Sequence, residues 1–173
     1  MANSFHQTVT QSGELTHDGT VLLRFFFRFP SAEAVGALSD FYRQAAEREE
    51  DALRQKLFPA LIGRYEQDGD RRKRFRYTPC LFLSETVLLH ESEAMLSCRS
   101  EARLKKGGET LLSLVRGAVW RRKDGCLLSP RHCLKLTRSA RRAAKGAVFY
   151  LEGEEAVLEK DGRCTRFPIL KKV

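Results

Sequence analysis

The chain has 173 residues, of which 42% are hydrophobic and 31% are charged. This length supports one substantial hydrophobic core and is short for two. No apolar run approaches the roughly 18 residues that a membrane-spanning helix needs, and the N-terminus lacks the basic start and apolar core of a signal peptide. We therefore predict a single domain over residues 1–173 that lies in the cytoplasm, with no membrane span.

The cysteines agree with a reducing compartment. They are odd in number and widely spaced, in a chain large enough to fold without covalent staples. Reduced thiols are therefore expected at Cys80, Cys98, Cys126, Cys133 and Cys164.

Basic residues are concentrated in the middle of the chain. The net charge is +9, yet residues 1–62 carry 6 basic and 8 acidic side chains, and residues 146–173 carry 5 of each. Residues 63–145 carry 20 basic and 9 acidic side chains, so this segment holds the whole excess. Such a field attracts polyanions or acidic protein surfaces, although it does not indicate a fold.

One long helix is predicted from Ser31 to about Phe58. Ser31 follows a proline and precedes Glu33, an arrangement typical of a helix N-terminus. Pro59 lacks an amide and clashes with the preceding turn, so we expect the helix to end or kink there. The apolar positions that fall on one helical face are Val35, Leu38, Tyr42, Ala45, Leu53, Leu57 and Leu61.

The first two strands are predicted to form a hairpin. Residues 5–13 suit an edge strand, and residues 16–19 carry a turn signal. Residues 21–29 alternate so that the odd-numbered side chains face one way, and this face is predicted to pack against the helical stripe.

After a loop at 66–70, the chain alternates between strand and turn patterns. Strands are predicted over 80–90, 94–104, 109–122 and 127–128, with a hairpin turn at Gly107 and Gly108. Because residues 109–122 are apolar on both faces, we place this strand at the centre of the sheet.

The last part of the chain predicts a short basic helix over 131–145 and then three short strands. The strands cover Ala147–Leu151, Ala156–Glu159 and Cys164–Leu170, and Asp161-Gly162 is predicted as the turn between the last two. Most connections are short turns, which favour antiparallel pairing. The predicted fold class is α+β, with a mainly antiparallel sheet packed on one long N-terminal helix and a second short basic helix.

No catalytic or metal-binding motif is visible. The four histidines form no HExxH pattern, and Cys126, His132 and Cys133 lack a second pair of ligands. Gly107 and Gly108 open onto a strand, so they lack the helix N-terminus of a phosphate loop. We predict that the protein is not an enzyme and needs no cofactor or metal.

The basic groups form the candidate site. They are separate in sequence but would bind a polyanion if they shared one face, with Trp120 and Phe75 as candidate stacking platforms. The alternative is a solvated arginine-rich surface with Trp120 in the core. The candidate residues are Arg71, Arg72, Lys73, Arg74, Arg76, Trp120, Arg121, Arg122, Lys123, Arg138, Arg141, Arg142 and Lys145.

Several short phrases, spread over residues 20–170, resemble the bacterial domain of unknown function in RsiV-type anti-sigma factors, which also occurs beside the PdaC peptidoglycan deacetylase. Arg28-Phe29-Pro30 is similar to the family's strand end before a helix. The other matching phrases are Leu112-Ser113-Leu114, Gly125-Cys126-Leu127-Leu128, Phe149-Tyr150-Leu151-Glu152 and Phe167-Pro168-Ile169. The family's Gly-Gly-x-His stretch is replaced here by Ala118-Val119-Trp120.

The resemblance implies a sensory or binding domain without chemistry of its own, and it transfers no site residue. RsiV recognises lysozyme, but the chain shows neither an anchor nor an export signal, so we do not expect extracellular lysozyme sensing. The leading hypothesis is a non-enzymatic bacterial domain that binds another macromolecule, such as an acidic protein. The alternative is a cytoplasmic protein that binds nucleic acid through its basic surface.

Overall fold

The computed structural model describes residues 8–31, 36–71, 77–135 and 137–170. Nine strands and four α-helices follow one another in these ranges. The strands are β1 Thr8–His17, β2 Thr20–Pro30, β3 Cys80–Glu91, β4 Met95–Lys106, β5 Glu109–Arg121, β6 Cys126–Leu128, β7 Val148–Glu152, β8 Glu155–Lys160 and β9 Arg163–Pro168. The helices are α1 Gly36–Ala52, α2 Phe58–Arg71, α3 Pro130–Cys133 and α4 Arg138–Ala144, with a π-helical turn at Leu53–Leu57.

The predicted fold class is wrong, because the chain is mostly β and its sheets are not packed on a single dominant helix. Six strands form one sheet in the order β1-β2-β3-β4-β5-β6, and β7, β8 and β9 form a second. The first sheet is also mixed, since β2 and β3 run parallel from the Leu23–Cys80 pair to the Arg28–Glu85 pair. The helical segment between β2 and β3 returns the chain to the end of the sheet at which β2 begins. Strand β3 therefore runs in the same direction as β2 and pairs with it in parallel.

The predicted hairpin of β1 and β2 is confirmed, but β1 does not end near Gly13. It continues to His17 and pairs antiparallel with β2, with an irregularity between Leu15 and Thr16. Asp18 and Gly19 turn the chain with φ of 47° and 73°. Positive φ at both central residues matches the twist of the flanking strands, which explains the tight turn.

The long helix passes through Pro59 instead of ending there. The backbone N–H of Phe58 donates to the carbonyl of Leu53, five residues earlier, in the π-helical turn. This wider turn accommodates a proline that a regular α-helical ladder would not. The residues predicted as a loop at 66–70 are therefore helical, and α2 extends to Arg71.

Within the first of two compact units, made of described residues in 1–31, 40–85 and 102–114, helix and hairpin share an apolar core. The odd-numbered face of β2 is buried as predicted, with Leu23, Phe25, Phe27 and Phe29 between 0% and 5% exposed. The helical side of this unit buries Tyr42, Ala46, Leu53 and Leu61. Ala46 replaces the predicted Ala45, and Val35 lies outside the described residues.

The second unit comprises described residues in 32–39, 86–101 and 115–173. Its core joins parts of β4 and β5 to the β7–β9 sheet through Met95, Val119, Leu151 and Leu158, among other side chains. The hydroxyl of Ser97, which is fully buried, accepts a hydrogen bond of 2.7 Å from the amide of Leu151. This bond satisfies a polar group that would otherwise be costly to bury.

Strand β5 is not buried on both faces as predicted. Leu111, Leu112 and Leu114 are 50%, 58% and 45% exposed. Within the described residues, β6 pairs only with Val119–Arg121 of β5. On that edge, β6 therefore forms no hydrogen bonds to the part of β5 before Val119. The predicted basic helix is likewise divided, into α3 and α4.

All five cysteines carry free thiols, of which three are buried and two are exposed. Cys80, Cys98 and Cys133 are at most 1% exposed, whereas Cys126 and Cys164 are exposed. Burial also raises the pKa of Cys133 to about 11, which keeps this thiol protonated and unreactive near neutral pH.

We therefore expect two thiols to react with a chromogenic disulfide reagent in the folded protein and all five to react in denaturant without reductant. A Cys126→Ser, Cys164→Ser variant should show no thiol that reacts in the folded state. Fewer than five thiols in denaturant would instead indicate disulfides in the isolated protein.

Candidate functional site

The first basic group, residues 71–76, lies almost wholly outside the described part of the chain. Arg71 is the last residue of α2, but its side chain and the whole of residues 72–76 lie outside the described residues. The predicted positions Arg72, Lys73, Arg74 and Arg76 therefore stay predictions, as does the stacking role of Phe75.

The second group is largely neutralised by neighbouring carboxylates. Arg121 pairs with Asp124 at 2.8 Å, and the hydrogen bond from Arg121 lowers the pKa of Asp124. Arg122 lies 3.4 Å from a carboxylate oxygen of Glu91 and donates to the carbonyl of Ser92 at 3.1 Å. Lys123 is exposed. This turn thus contributes little net positive charge.

Trp120 does not offer a stacking platform, because it is only 4% exposed. It lies at the end of β5 and pairs with Leu127 of β6. The alternative interpretation of Trp120 as a core residue is therefore confirmed.

The third group forms the centre of the candidate site. Helix α4 presents Arg138, Arg141 and Arg142 to solvent, and Lys145 follows its last turn. The hydroxyl of Thr137 caps the helix by accepting from the amide of Ala140 at 3.2 Å. Ala140 is fully buried, so the helix is anchored by its apolar side while its basic side stays in solvent.

A cationic groove runs along α4 and the β8–β9 hairpin. Two adjoining hollows of about 930 and 500 Å³ share Arg142 and Ala143. The first also includes Arg138 and Ser139. The second is completed by Leu158, Lys160, Asp161, Arg163 and Thr165. We call this surface the α4 groove.

The lining of the α4 groove contains four basic side chains and one carboxylate, that of Asp161. The basic residues are Arg138, Arg142, Lys160 and Arg163. Among the described residues, no ion pair involves Arg138, Arg142 or Arg163. By contrast, Arg43 pairs with Glu47 at 3.0 Å on the first unit. The groove therefore retains a positive charge that the protein itself does not compensate.

The hairpin that carries Lys160 and Arg163 is held in place by its own contacts. The ammonium of Lys160 donates to the backbone carbonyl of Lys145 at 3.3 Å, which links the hairpin to the end of α4. Asp161 and Gly162 form its turn with φ of 51° and 73°. This turn was predicted from the sequence, but the basic residues on either side of it, Lys160 and Arg163, were not predicted as part of the site.

A half-buried ion pair holds β8, the first strand of this hairpin, in place. Glu159 accepts from Arg99 at 3.1 and 3.3 Å and from the hydroxyl of Tyr150 at 3.1 Å. These hydrogen bonds raise the pKa of Arg99 above its usual value, while burial raises the pKa of Tyr150. Both side chains therefore keep their protons at neutral pH, and Lys160 follows directly on an anchored residue.

Three further residues considered for chemistry have structural roles. His132 accepts from the amide of Ser129 at 3.1 Å and so caps α3. Gly107 and Gly108 form the predicted hairpin turn, with φ of 58° and 89°. Within the described ranges, no three His, Cys, Asp or Glu side chains come together as a metal site, and no helix is long and apolar enough to cross a bilayer.

Comparisons with known proteins show a shared fold. No family model and no curated protein sequence matches the chain. A solved structure of a DUF3298 family member from Bacteroides fragilis NCTC 9343 superposes with a TM-score of 0.59 at 10% identity, covering 90% of this chain and 82% of that one. This likeness is to a bacterial domain of unknown function and does not single out the RsiV-type proteins that the sequence phrases resemble.

Proposed function

We propose that the protein is a non-enzymatic bacterial binding domain that acts in the cytoplasm and binds an acidic segment of another protein in the α4 groove. The observation that carries this proposal is the uncompensated positive charge of Arg138, Arg142, Lys160 and Arg163 on one surface. The structural likeness to a domain of unknown function is compatible with it but indicates no ligand.

The side chains suit carboxylates in particular. Three of the four are arginines, whose planar guanidinium binds a carboxylate through two parallel hydrogen bonds. Ala143 and Thr165 line the same groove and offer methyl groups to the partner's backbone and methylene groups. The groove can therefore recognise an acidic peptide by charge and by shape.

Two observations disfavour a nucleic-acid ligand. Binding of single strands usually needs aromatic platforms along a basic track, and Trp120, the candidate platform among the described residues, is buried. The basic turn that contains Arg121 and Arg122 is paired with carboxylates and does not extend the cationic surface. A short groove of four basic side chains fits a few carboxylates better than a long phosphate backbone.

The test compares a short polyglutamate peptide with a mixed-sequence DNA duplex of equal total charge. In fluorescence titrations at about 50 mM salt, we expect the peptide to bind more tightly than the duplex, with a shallow salt dependence. A variant with Arg142→Ala, Lys160→Ala and Arg163→Ala should lose about tenfold or more in peptide affinity, since it removes charge-assisted hydrogen bonds.

A matched control removes the same charge elsewhere. Arg24, Arg28 and Arg43 already pair with acidic side chains at 2.8, 3.3 and 3.0 Å, so their replacement by alanine should leave peptide affinity nearly unchanged. Equal losses in both variants would mean that net charge, and not the groove, governs binding. Tighter duplex binding with a log–log salt slope of several units would instead support the nucleic-acid alternative.

A further inference from the structure

Strand β5 exposes a run of apolar side chains at the edge of the six-stranded sheet. From Glu109 to Leu114 every residue of this strand is exposed, and Leu111, Leu112 and Leu114 are 50%, 58% and 45% exposed. Side chains alternate between the two faces of a strand, so Leu112 and Leu114 lie on one face and Leu111 lies on the other. Apolar surface is therefore exposed on both faces of the same strand.

The backbone edge beside these leucines is open. Among the described strands, β6 alone lies beyond β5 in this sheet, and it pairs with β5 only from Val119 onward. Open edges of this kind readily accept a further strand, and proteins usually protect them with charged residues or proline. The segment from Thr110 to Val115 contains neither. The edge is therefore suited to pair with another strand.

The opposite edge of the sheet differs in its side chains. Strand β1 forms that edge, and its Glu14 pairs with Arg24 of β2 at 2.8 Å. The exposed large hydrophobic residue that β1 carries is Val9, at 38%. Apolar exposure is thus concentrated at the β5 edge, and such a concentration indicates a contact surface.

A partner strand fits the β5 edge better than a partner that lies flat on the sheet. An antiparallel strand supplies hydrogen bonds to the open backbone and places side chains beside the exposed residues on both faces at once. A helix or loop on one face would cover Leu112 and Leu114 but would leave Leu111 in water. The distribution of the leucines therefore favours pairing along the edge.

The sequence of β5 is complementary to itself in one register. When a two-fold axis perpendicular to the sheet relates two antiparallel copies of a strand, one residue lies directly opposite the same residue of the other copy. With Ser113 at this position, Leu112 lies opposite the second copy's Leu114, and Leu111 lies opposite the second copy's Val115. Apolar side chains thus meet apolar partners on both faces, which is the arrangement that stabilises cross-strand pairs.

The neighbouring registers match less well. If Leu112 lay opposite itself, Leu111 would meet the hydroxyl of Ser113 instead of an apolar side chain. If Leu114 lay opposite itself, Leu112 would meet the charged Arg116. Only the register centred on Ser113 pairs the leucines with apolar residues on both faces.

We propose that two copies of the chain associate by antiparallel pairing of their β5 strands from Thr110 to Arg116, with Ser113 opposite Ser113 of the second copy. The paired segment ends before the residues of β5 that β6 occupies, so β6 keeps its place. The two six-stranded sheets then continue into each other. This contact does not use the α4 groove, so either proposal can fail without the other.

The test is the molar mass of the full chain in solution, measured by light scattering after gel filtration over a series of protein concentrations. We expect the mass to rise with concentration from 19.8 kDa toward twice that value. A Leu112→Lys, Leu114→Lys variant places like charges opposite each other in the proposed register and should stay at the monomer mass.

A charge-reversed variant tests the register itself. In Leu112→Glu, Leu114→Lys, the new carboxylate at position 112 lies opposite the new ammonium group at position 114 of the second copy, so the dimer should return. If Leu112 instead lay opposite itself, two carboxylates would face each other and the variant would remain monomeric. The comparison therefore separates the proposed register from its neighbour.

A matched control adds the same charge away from the β5 edge. Phe26 and Val87 are 42% and 40% exposed and lie on β2 and β3, which are interior strands of the sheet. A Phe26→Lys, Val87→Lys variant should therefore dimerise like the wild type. A thermal melt followed by circular dichroism checks that each variant is folded.

Three results would overturn the proposal. A wild-type chain that stays monomeric at every concentration would leave the β5 edge to a strand of another protein. A dimer that survives Leu112→Lys, Leu114→Lys would have its interface elsewhere. A charge-reversed variant that folds but stays monomeric would exclude the register centred on Ser113.

Discussion

Replacement of Gly117 by alanine is expected to cost about 3 kcal/mol of folding stability, at the upper end of the usual range for overpacking. Gly117 lies in β5, where an added Cβ would clash with the backbone carbonyl of Phe149 in β7 and would lie 2.7 Å from its carbon. A backbone group cannot move aside as a flexible side chain can. The strands would have to separate, which would open the core of the second unit around Val119 and Phe149.

The measurement is urea unfolding followed by circular dichroism, and the chain offers a matched control. Gly63 lies in α2, and an added Cβ would meet no atom within 4 Å beyond its chain neighbours and the backbone of its own helix. Because alanine is the better helix former, Gly63→Ala should be neutral or should stabilise by up to about 1 kcal/mol. If Gly117→Ala were as stable as the wild type, β5 and β7 could not approach each other as closely as described.

Most strands could be predicted because their side-chain alternation is local information. The pattern from Val21 to Phe29 predicted the buried face of β2, and Leu23, Phe25 and Phe27 confirm it. The turns at Asp18-Gly19 and Asp161-Gly162 were also predicted, since they need positive φ that few residues adopt readily.

The failures concern information that local patterns do not contain. Pro59 was expected to end or kink the helix, and the helix does not end there but continues into α2 after the π-helical turn at Leu53–Leu57. No residue type marks such a turn reliably. The number of sheets and the parallel pairing of β2 with β3 depend on where the crossover returns the chain. The apolar run in β5 suggested a central strand, although Leu112 is 58% exposed.

The candidate site was only partly predictable for a similar reason. A run of basic residues near Arg138–Lys145 is visible in the sequence, but charge alone does not show which arginines have partners. Arg121 and Arg122 appeared equivalent to Arg138 and Arg142, yet the first two meet Asp124 and Glu91. Lys160 and Arg163 belong to the groove because the β8–β9 hairpin places them beside α4, although they are distant from α4 in sequence.

Replacement of Phe25 by alanine is the second change with a large expected effect, and it tests the core of the first unit. Phe25 is 2% exposed, and its ring lies 5.5 Å from the ring of Phe27 and 5.9 Å from the guanidinium of Arg54 on the helical side. It also covers Gly13 of β1, where an added Cβ would be 2.5 Å from the ring. Removal of this ring should leave a cavity between strand and helix and cost about 3 to 5 kcal/mol.

The adjacent residue supplies the control for this experiment. Phe26 points to the opposite face of β2 and is 42% exposed, so Phe26→Ala removes the same atoms from the same strand with little loss of buried contact. We expect its cost to stay below about 1 kcal/mol, measured by the same urea titration. Similar losses in the two variants would show that the odd-numbered face of β2 does not carry the core. A selective loss for Phe25→Ala would establish that the hairpin and the helix are held together through that face.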